Sequence, residues 1–183
     1  MLRKGGFPMA KLRKMLGDVR SQECADMMAL IETQSKATLA AWAVDYAQRH
    51  YLPVYAKACP GDGRLEDVIR ACEEYLQGTR KLAEVKPMLR EAVQIAREAG
   101  EDPVAQAAAR AISTACATVQ TPTNALGYLF YGAAAVAYGE AGLNEPAEAY
   151  DALASEEFRR ALADLHRVAV PDGPNPAKIN WNC

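Results

Sequence analysis

From Ala111 to Gly139 the chain runs for 29 residues without a charged side chain or a histidine. Arg110 and Glu140 bracket the stretch, which reads as two Ala-rich helices joined at Thr121-Pro122-Thr123-Asn124. Helices this apolar belong inside a fold, since each would otherwise present its carbon surface to water. Alanine has the highest helix propensity and lets helix axes approach closely. The expectation is an all-α fold whose centre is a closely packed helical hairpin.

The rest of the chain supports that class. Nowhere do Val, Ile and Thr alternate with polar residues over a strand's length, whereas apolar residues recur at helical spacing throughout. Aromatic residues make up only 7% of the chain, so a core of Ala, Leu and Val rather than of stacked rings is expected. A length of 183 residues suits one all-helical domain over 1–183, burying roughly 70% of its unfolded surface. Roughly seven to nine helices in a compact bundle or a short α-superhelix would accommodate the pattern.

Capping and breaking residues place the helices. A short basic helix is expected over Ala10–Leu16. A longer one should begin near Ser21, with Cys24, Met27, Met28 and Ile31 on one face. Ser35 suits the N-cap of a third, which carries Leu39, Trp42, Ala43 and Tyr46. Pro53 divides or kinks that segment near its end. Cys59-Pro60-Gly61-Asp62-Gly63 reads as a loop, with Asp62 capping a helix over Arg64–Leu76 and Glu66 supporting its first turn. Gly78 stops that helix. The next starts near Leu82, holds Pro87 in its first turns and closes at Gly100. Asp102-Pro103 pairs an N-cap with a proline at the first helical position. The second hairpin helix, capped by Thr121 or Thr123, ends near Gly142. A last helical region spans Glu145 to about Val168, with a break before Ser155. A Pro-rich tail occupies 171–183, and Trp181 should dock on the body with residues 171–176 as a strap.

Charge is unevenly spread. Residues 1–20 form a basic arm of net +5, and the remainder carries −7. A mostly acidic body disfavours nucleic acid as a partner and suits a basic protein. Gly5, Gly6 and Pro8 follow the first basic residues where a secretory signal would need an apolar run. The most apolar segment, Ala125–Tyr138, is too short at 1.5 Å per residue to cross a bilayer. No membrane association is expected. Five cysteines without a Cys-x-x-Cys fit reduced thiols in the cytoplasm. Two histidines, His50 and His166, lie outside any metal-ligand spacing, so no metal and no cofactor is expected.

One constellation could bind a ligand. On the helix beginning at Pro103, Val104, Ala108, Ala111, Ile112 and Ala115 share one arc; Gln106, Arg110, Ser113 and Thr114 share the opposite one. Arg110 is the sole charge between Asp102 and Glu140. It either clamps an anion with Gln106, Ser113 and Thr114 or pairs with an acid such as Glu66, Glu73 or Glu74. Tyr128, Tyr131 and Tyr138 follow one stripe of the next helix, and Tyr128 and Tyr131 could line the same pocket. No catalytic residue stands out: the chain has no Gly-rich phosphate loop and no Gly-x-Ser-x-Gly.

Several segments resemble a known family. They are Leu12-Arg13-Lys14-Met15-Leu16-Gly17, Ile31-Glu32-Thr33-Gln34-Ser35-Lys36, Asp102 to Ile112, Tyr131 to Tyr138 and Asn175 to Cys183. Together they are similar to the Imm-5-like putative immunity protein family, bacterial and all-helical. The resemblance implies a non-enzymatic cytoplasmic binding protein that neutralises a toxin by protein–protein contact. It implies no catalytic residue. The alternative is a small-molecule-binding or enzymatic helical protein with a polar pocket around Arg110. A homo-oligomer is a third expectation.

Overall fold

The structure, a computed structural model, describes residues 11–182. Eight helices succeed one another with no strand among the described residues: α1 (Gln22–Glu32), α2 (Lys36–His50), α3 (Leu52–Ala58), α4 (Arg64–Leu76), α5 (Leu82–Glu98), α6 (Pro103–Ala117), α7 (Asn124–Ala141) and α8 (Ala147–Val168). The class and the helix number agree with the sequence. Arg3, Lys4 and Ala10 lie outside the described residues.

The neutral hairpin is α6 and α7, and their mutual contact is the most extensive in the molecule. Around it pack α2, α3, α4 and α5 on the α6 side and α8 on the α7 side. Both central helices are buried on most sides: Ala105, Ala107, Ala108, Ala109, Ala111 and Ala115 of α6 all face neighbours, as do Ala125, Ala133, Ala134, Ala135 and Ala137 of α7. Small side chains permit this multiple contact, because a helix without long side chains can be approached from several directions.

Three helix starts follow the expected caps, whereas Thr123, at the N-cap of α7, makes no side-chain capping bond. The Ser21 and Ser35 hydroxyls accept from the Cys24 and Thr38 amides, and Asp102 accepts from Val104 (3.0 Å) and Ala105 (3.1 Å) ahead of Pro103. Gly78 and Gly142, at φ +80° and +79°, end α4 and α7 in a conformation that side chains resist.

Three local expectations are corrected. Residues 11–18 form no helix. Their backbone bonds α7 instead: Leu16 N donates to the Phe130 carbonyl (3.0 Å), and the Arg13 carbonyl accepts from Tyr138 Oη (2.7 Å). Leu16 is buried, and Gly17 (φ +116°) then turns the chain where a Cβ would lie 2.6 Å from Phe158. No break precedes Ser155; α8 is continuous. Gly63, not Asp62, occupies the N-cap position of α4.

Asp62 does different work. It accepts from Tyr55 Oη (2.7 Å), from the Arg64 amide (3.2 Å) and from the Arg64 guanidinium, which also reaches Glu98 (3.0 Å). These donors, Arg64 first, hold its carboxyl far below the usual aspartate range. A depressed folded-state pKa stabilises the fold above the ordinary aspartate value of 3.8 and loses that contribution as pH falls through the lower one. With Arg64 largely exposed, solvent screens much of this. Asp62→Asn is expected to cost about 1 kcal/mol at neutral pH, a gap that closes in acid. Urea titrations of both proteins at several pH values measure it; a gap constant with pH would contradict the assignment.

The tail folds back as expected. Buried Gln34 accepts from the Val170 amide (2.8 Å), and its carbonyl accepts from Ala177 N (2.7 Å). Partly buried Trp181 packs against the core and donates Nε1 to Glu32.

Candidate functional site

The six residues expected around Arg110 separate into three places. Arg110 and Gln106 line a cleft of about 120 Å³ with Leu12, Arg13, Lys14 and Tyr138. Tyr131 lies beside it, with the Arg110 guanidinium 6.0 Å from its ring centroid. Ser113 is turned inward and donates to the Arg110 carbonyl of its own helix (3.2 Å), while Thr114 lies against α7 near Gly127. Tyr128 belongs to another cluster altogether, on the face of α7 that meets α2. Arg110 forms no ion pair among the described residues: Glu74 is taken by Arg80, and neither Glu66 nor Glu73 is bonded to Arg110. The expected pairing with these acids is therefore not what holds Arg110.

The cluster around Tyr128 is one that sequence reasoning missed. Along α8 the inward residues are Tyr150, Ala154, Glu157, Phe158, Ala161 and Leu165. Spacing of three and four puts them on one face, and Glu157 is the only carboxylate on it. That intrusion of an acid into an apolar stripe was the available signal. Glu157 is 2% exposed. Its Oε1 accepts from Tyr46 Oη and Tyr51 Oη, each at 2.8 Å, and its Oε2 pairs with Arg160. Arg160 Nε also donates to Tyr46 Oη (3.3 Å).

Sequence geometry builds this arrangement. Tyr46 lies on the buried stripe of α2 with Leu39, Trp42 and Ala43. Tyr51 falls at the junction of α2 and α3, just ahead of Pro53 in the first turn. Its ring lies against the backbone of α7 at Gly132, where a Cβ would come within 2.0 Å of Cζ. Beside the expected aliphatic core, four rings are gathered: Trp42, Tyr46, Tyr51 and Tyr128 meet mostly edge to face at 5.4 to 6.4 Å.

Burial pushes the Glu157 carboxyl above its ordinary range, opposed by Arg160 and the two phenols. Burial beside that carboxylate pushes Tyr46 and Tyr51 well above theirs, so both keep their protons and donate. His50 adjoins the cluster, its ring 4.3 Å from Tyr46. Arg49 Nη1 lies 3.2 Å from His50 Nε2, and a guanidinium can only donate, so Nε2 is an acceptor and the imidazole is neutral. Burial, then Arg160 and Arg49, lower its pKa in the same sense. Both carboxylate oxygens of Glu157 are engaged internally, which suits a rigid support more than a reacting group.

Above this support, Arg49, His50, Lys57 and Arg160 border an open groove of about 690 Å³ floored by Val54, Val104 and Val136. The adjoining α7–α8 corner is acidic. No Lys or Arg occurs between Arg110 and Arg159, and Glu140, Glu145, Glu148, Asp151 and Glu156 are all exposed. Of these, Asp151 holds Arg13 (2.7 Å). Among the described residues no group of three His, Cys, Asp or Glu could hold a metal, and no helix is long and apolar enough to cross a membrane.

An all-α scaffold with a buried Tyr–Glu–Arg cluster and one acidic corner is the class these features define. The chain belongs to the Imm-5 like putative immunity protein family, whose model matches residues 29–164. That span runs from within α1 to within α8 and includes Tyr46, Tyr51, Arg110, Glu157 and Arg160. No curated protein and no solved structure matches the chain.

Proposed function

We propose that this chain is a non-enzymatic, cytoplasmic immunity protein that neutralises a toxin by stoichiometric protein–protein contact. Family membership over 29–164 carries the reading. The acidic α7–α8 corner supports it with a surface for a basic partner, since complementary charge speeds encounter and suppresses wrong partners. The internally bonded Glu157 cluster fits the same reading, because a binder gains affinity when its surface is held rigid before contact.

The test is growth rescue. Cells producing the toxin should survive when the wild-type chain is co-expressed and die when it carries Glu145→Lys with Glu148→Lys. Both residues are exposed and neither forms an ion pair among the described residues, so circular dichroism and melting temperature should stay near wild type. Each reversed rim charge should weaken the complex by a few-fold or more, chiefly by slowing association, and the effect should shrink at high salt. Rescue unchanged by both reversals would remove the acidic corner from the interface.

A further inference from the structure

Arg110 is a partly buried cation without a carboxylate partner among the described residues. Burial of an arginine is unfavourable unless an opposite charge or ample hydrogen bonding compensates. Its contact with the Tyr131 ring offsets part of that cost. Two further cations stand beside it. Arg13 and Lys14 of the N-terminal arm border the same cleft, together with the Gln106 amide, and no acid lines it. Asp151, which grips Arg13, is not part of the lining. The arm is held in place there: Tyr138 Oη donates to the Arg13 carbonyl, and Leu12 packs against the core.

From this convergence we propose that the cleft between α6 and the arm binds a compact oxyanion, a phosphate or carboxylate group. The volume of about 120 Å³ far exceeds the roughly 10–15 Å³ that admits one water, so a small polyatomic anion has room. Arg110 supplies a planar fork of N–H donors from the rigid helix, and Lys14 a mobile ammonium from the arm. Gln106 Nε2, whose bond to the Ala96 carbonyl is long at 3.4 Å, is a neutral donor available to turn toward the anion. Binding links the arm to α6 through a shared charge, so occupancy also fixes residues 11–14. The site stands apart from the acidic protein contact and is tested separately.

Calorimetric titration of the full chain with inorganic phosphate, against chloride of equal ionic strength, should show one saturable site. Arg110→Gln should weaken it at least about ten-fold, and Lys14→Gln several-fold. Lys14 is exposed, so its variant reports on binding even if the Arg110 variant folds poorly. Arg70→Gln, on the exposed surface of α4 and outside the lining of the cleft, should bind as wild type. Acetate in place of phosphate separates the sources. Saturation by phosphate alone assigns the cleft to a phosphorylated ligand, and saturation by acetate alone to a carboxylate, such as one carried by a protein. No saturable binding of either ion, or binding unaltered in both the Arg110 and Lys14 variants, would overturn the proposal.

Discussion

Gly132→Ala should cost about 3–5 kcal/mol in urea unfolding, the largest loss expected for a methyl group added at any of the described glycines. An added Cβ would lie 2.0 Å from Tyr51 Cζ and 2.2 Å from Tyr51 Oη. Neither partner can yield cheaply. Gly132 sits in the middle of the central helix, and Tyr51 is fully buried at the α2–α3 junction. Moving the ring breaks its bond to Glu157 as well as its packing against Tyr46 and Tyr128. Overpacking alone costs about 1–3 kcal/mol, and a buried carboxylate that loses a donor adds a similar amount. Gly139→Ala, two turns along the same helix, is the control. Its Cβ would meet Val54 Cγ1 at an ordinary 3.4 Å, and removing a helical glycine should add up to about 1 kcal/mol. Equal stabilities for the two variants would show that Tyr51 does not rest against α7 as described.

Glu157→Leu carries the second large effect, a loss of about 3–4 kcal/mol. Leucine fills the space but leaves the Tyr46 and Tyr51 phenols without their acceptor, at about 1–3 kcal/mol each. Arg160, nearly half exposed, can turn to solvent and adds little. Glu157→Gln separates charge from hydrogen bonding, because its amide oxygen still accepts. Here the pH dependence has a definite sign. The folded-state pKa of Glu157 lies above its ordinary 4.5. Its contribution is therefore fully present below that value and is lost as pH rises through the higher folded-state one. The stability of wild type minus that of Glu157→Gln should accordingly fall as pH climbs upward from about 4. A difference that grows instead would mean that Arg160 dominates burial.

These two predictions fall where the sequence was least legible. The hairpin was readable because a long uncharged run has few places to go, and α6 and α7 lie at the centre. Caps with local chemistry were readable too: Ser21, Ser35 and Asp102 all accept from amides within three residues. The arm was not, because Leu12 and Leu16 have helical spacing yet the backbone at Arg13 and Leu16 is bonded to α7, more than a hundred residues away. Asp62 looked like a cap because its bonds to the side chains of Tyr55 and Arg64, seven and two residues away, could not be weighed from spacing alone. The cluster around Glu157 joins α2, the α2–α3 junction and α8, and only its acid on an apolar stripe was visible beforehand. Of the residues expected around Arg110, Gln106 shares its cleft, whereas Ser113 and Thr114, equally one turn from Arg110, are turned to their own helix and to α7. Tyr128 and Tyr131 are three residues apart, but one faces α2 and the other Arg110.

The reading as an immunity protein is tested most directly by native mass spectrometry of the tagged chain, purified gently from its own cells. One polypeptide at a fixed ratio to this chain, absent when Glu145→Lys and Glu148→Lys are introduced, is the predicted result. A chain that emerges alone, or carries only a small molecule, at concentrations where its cells resist the toxin would contradict it.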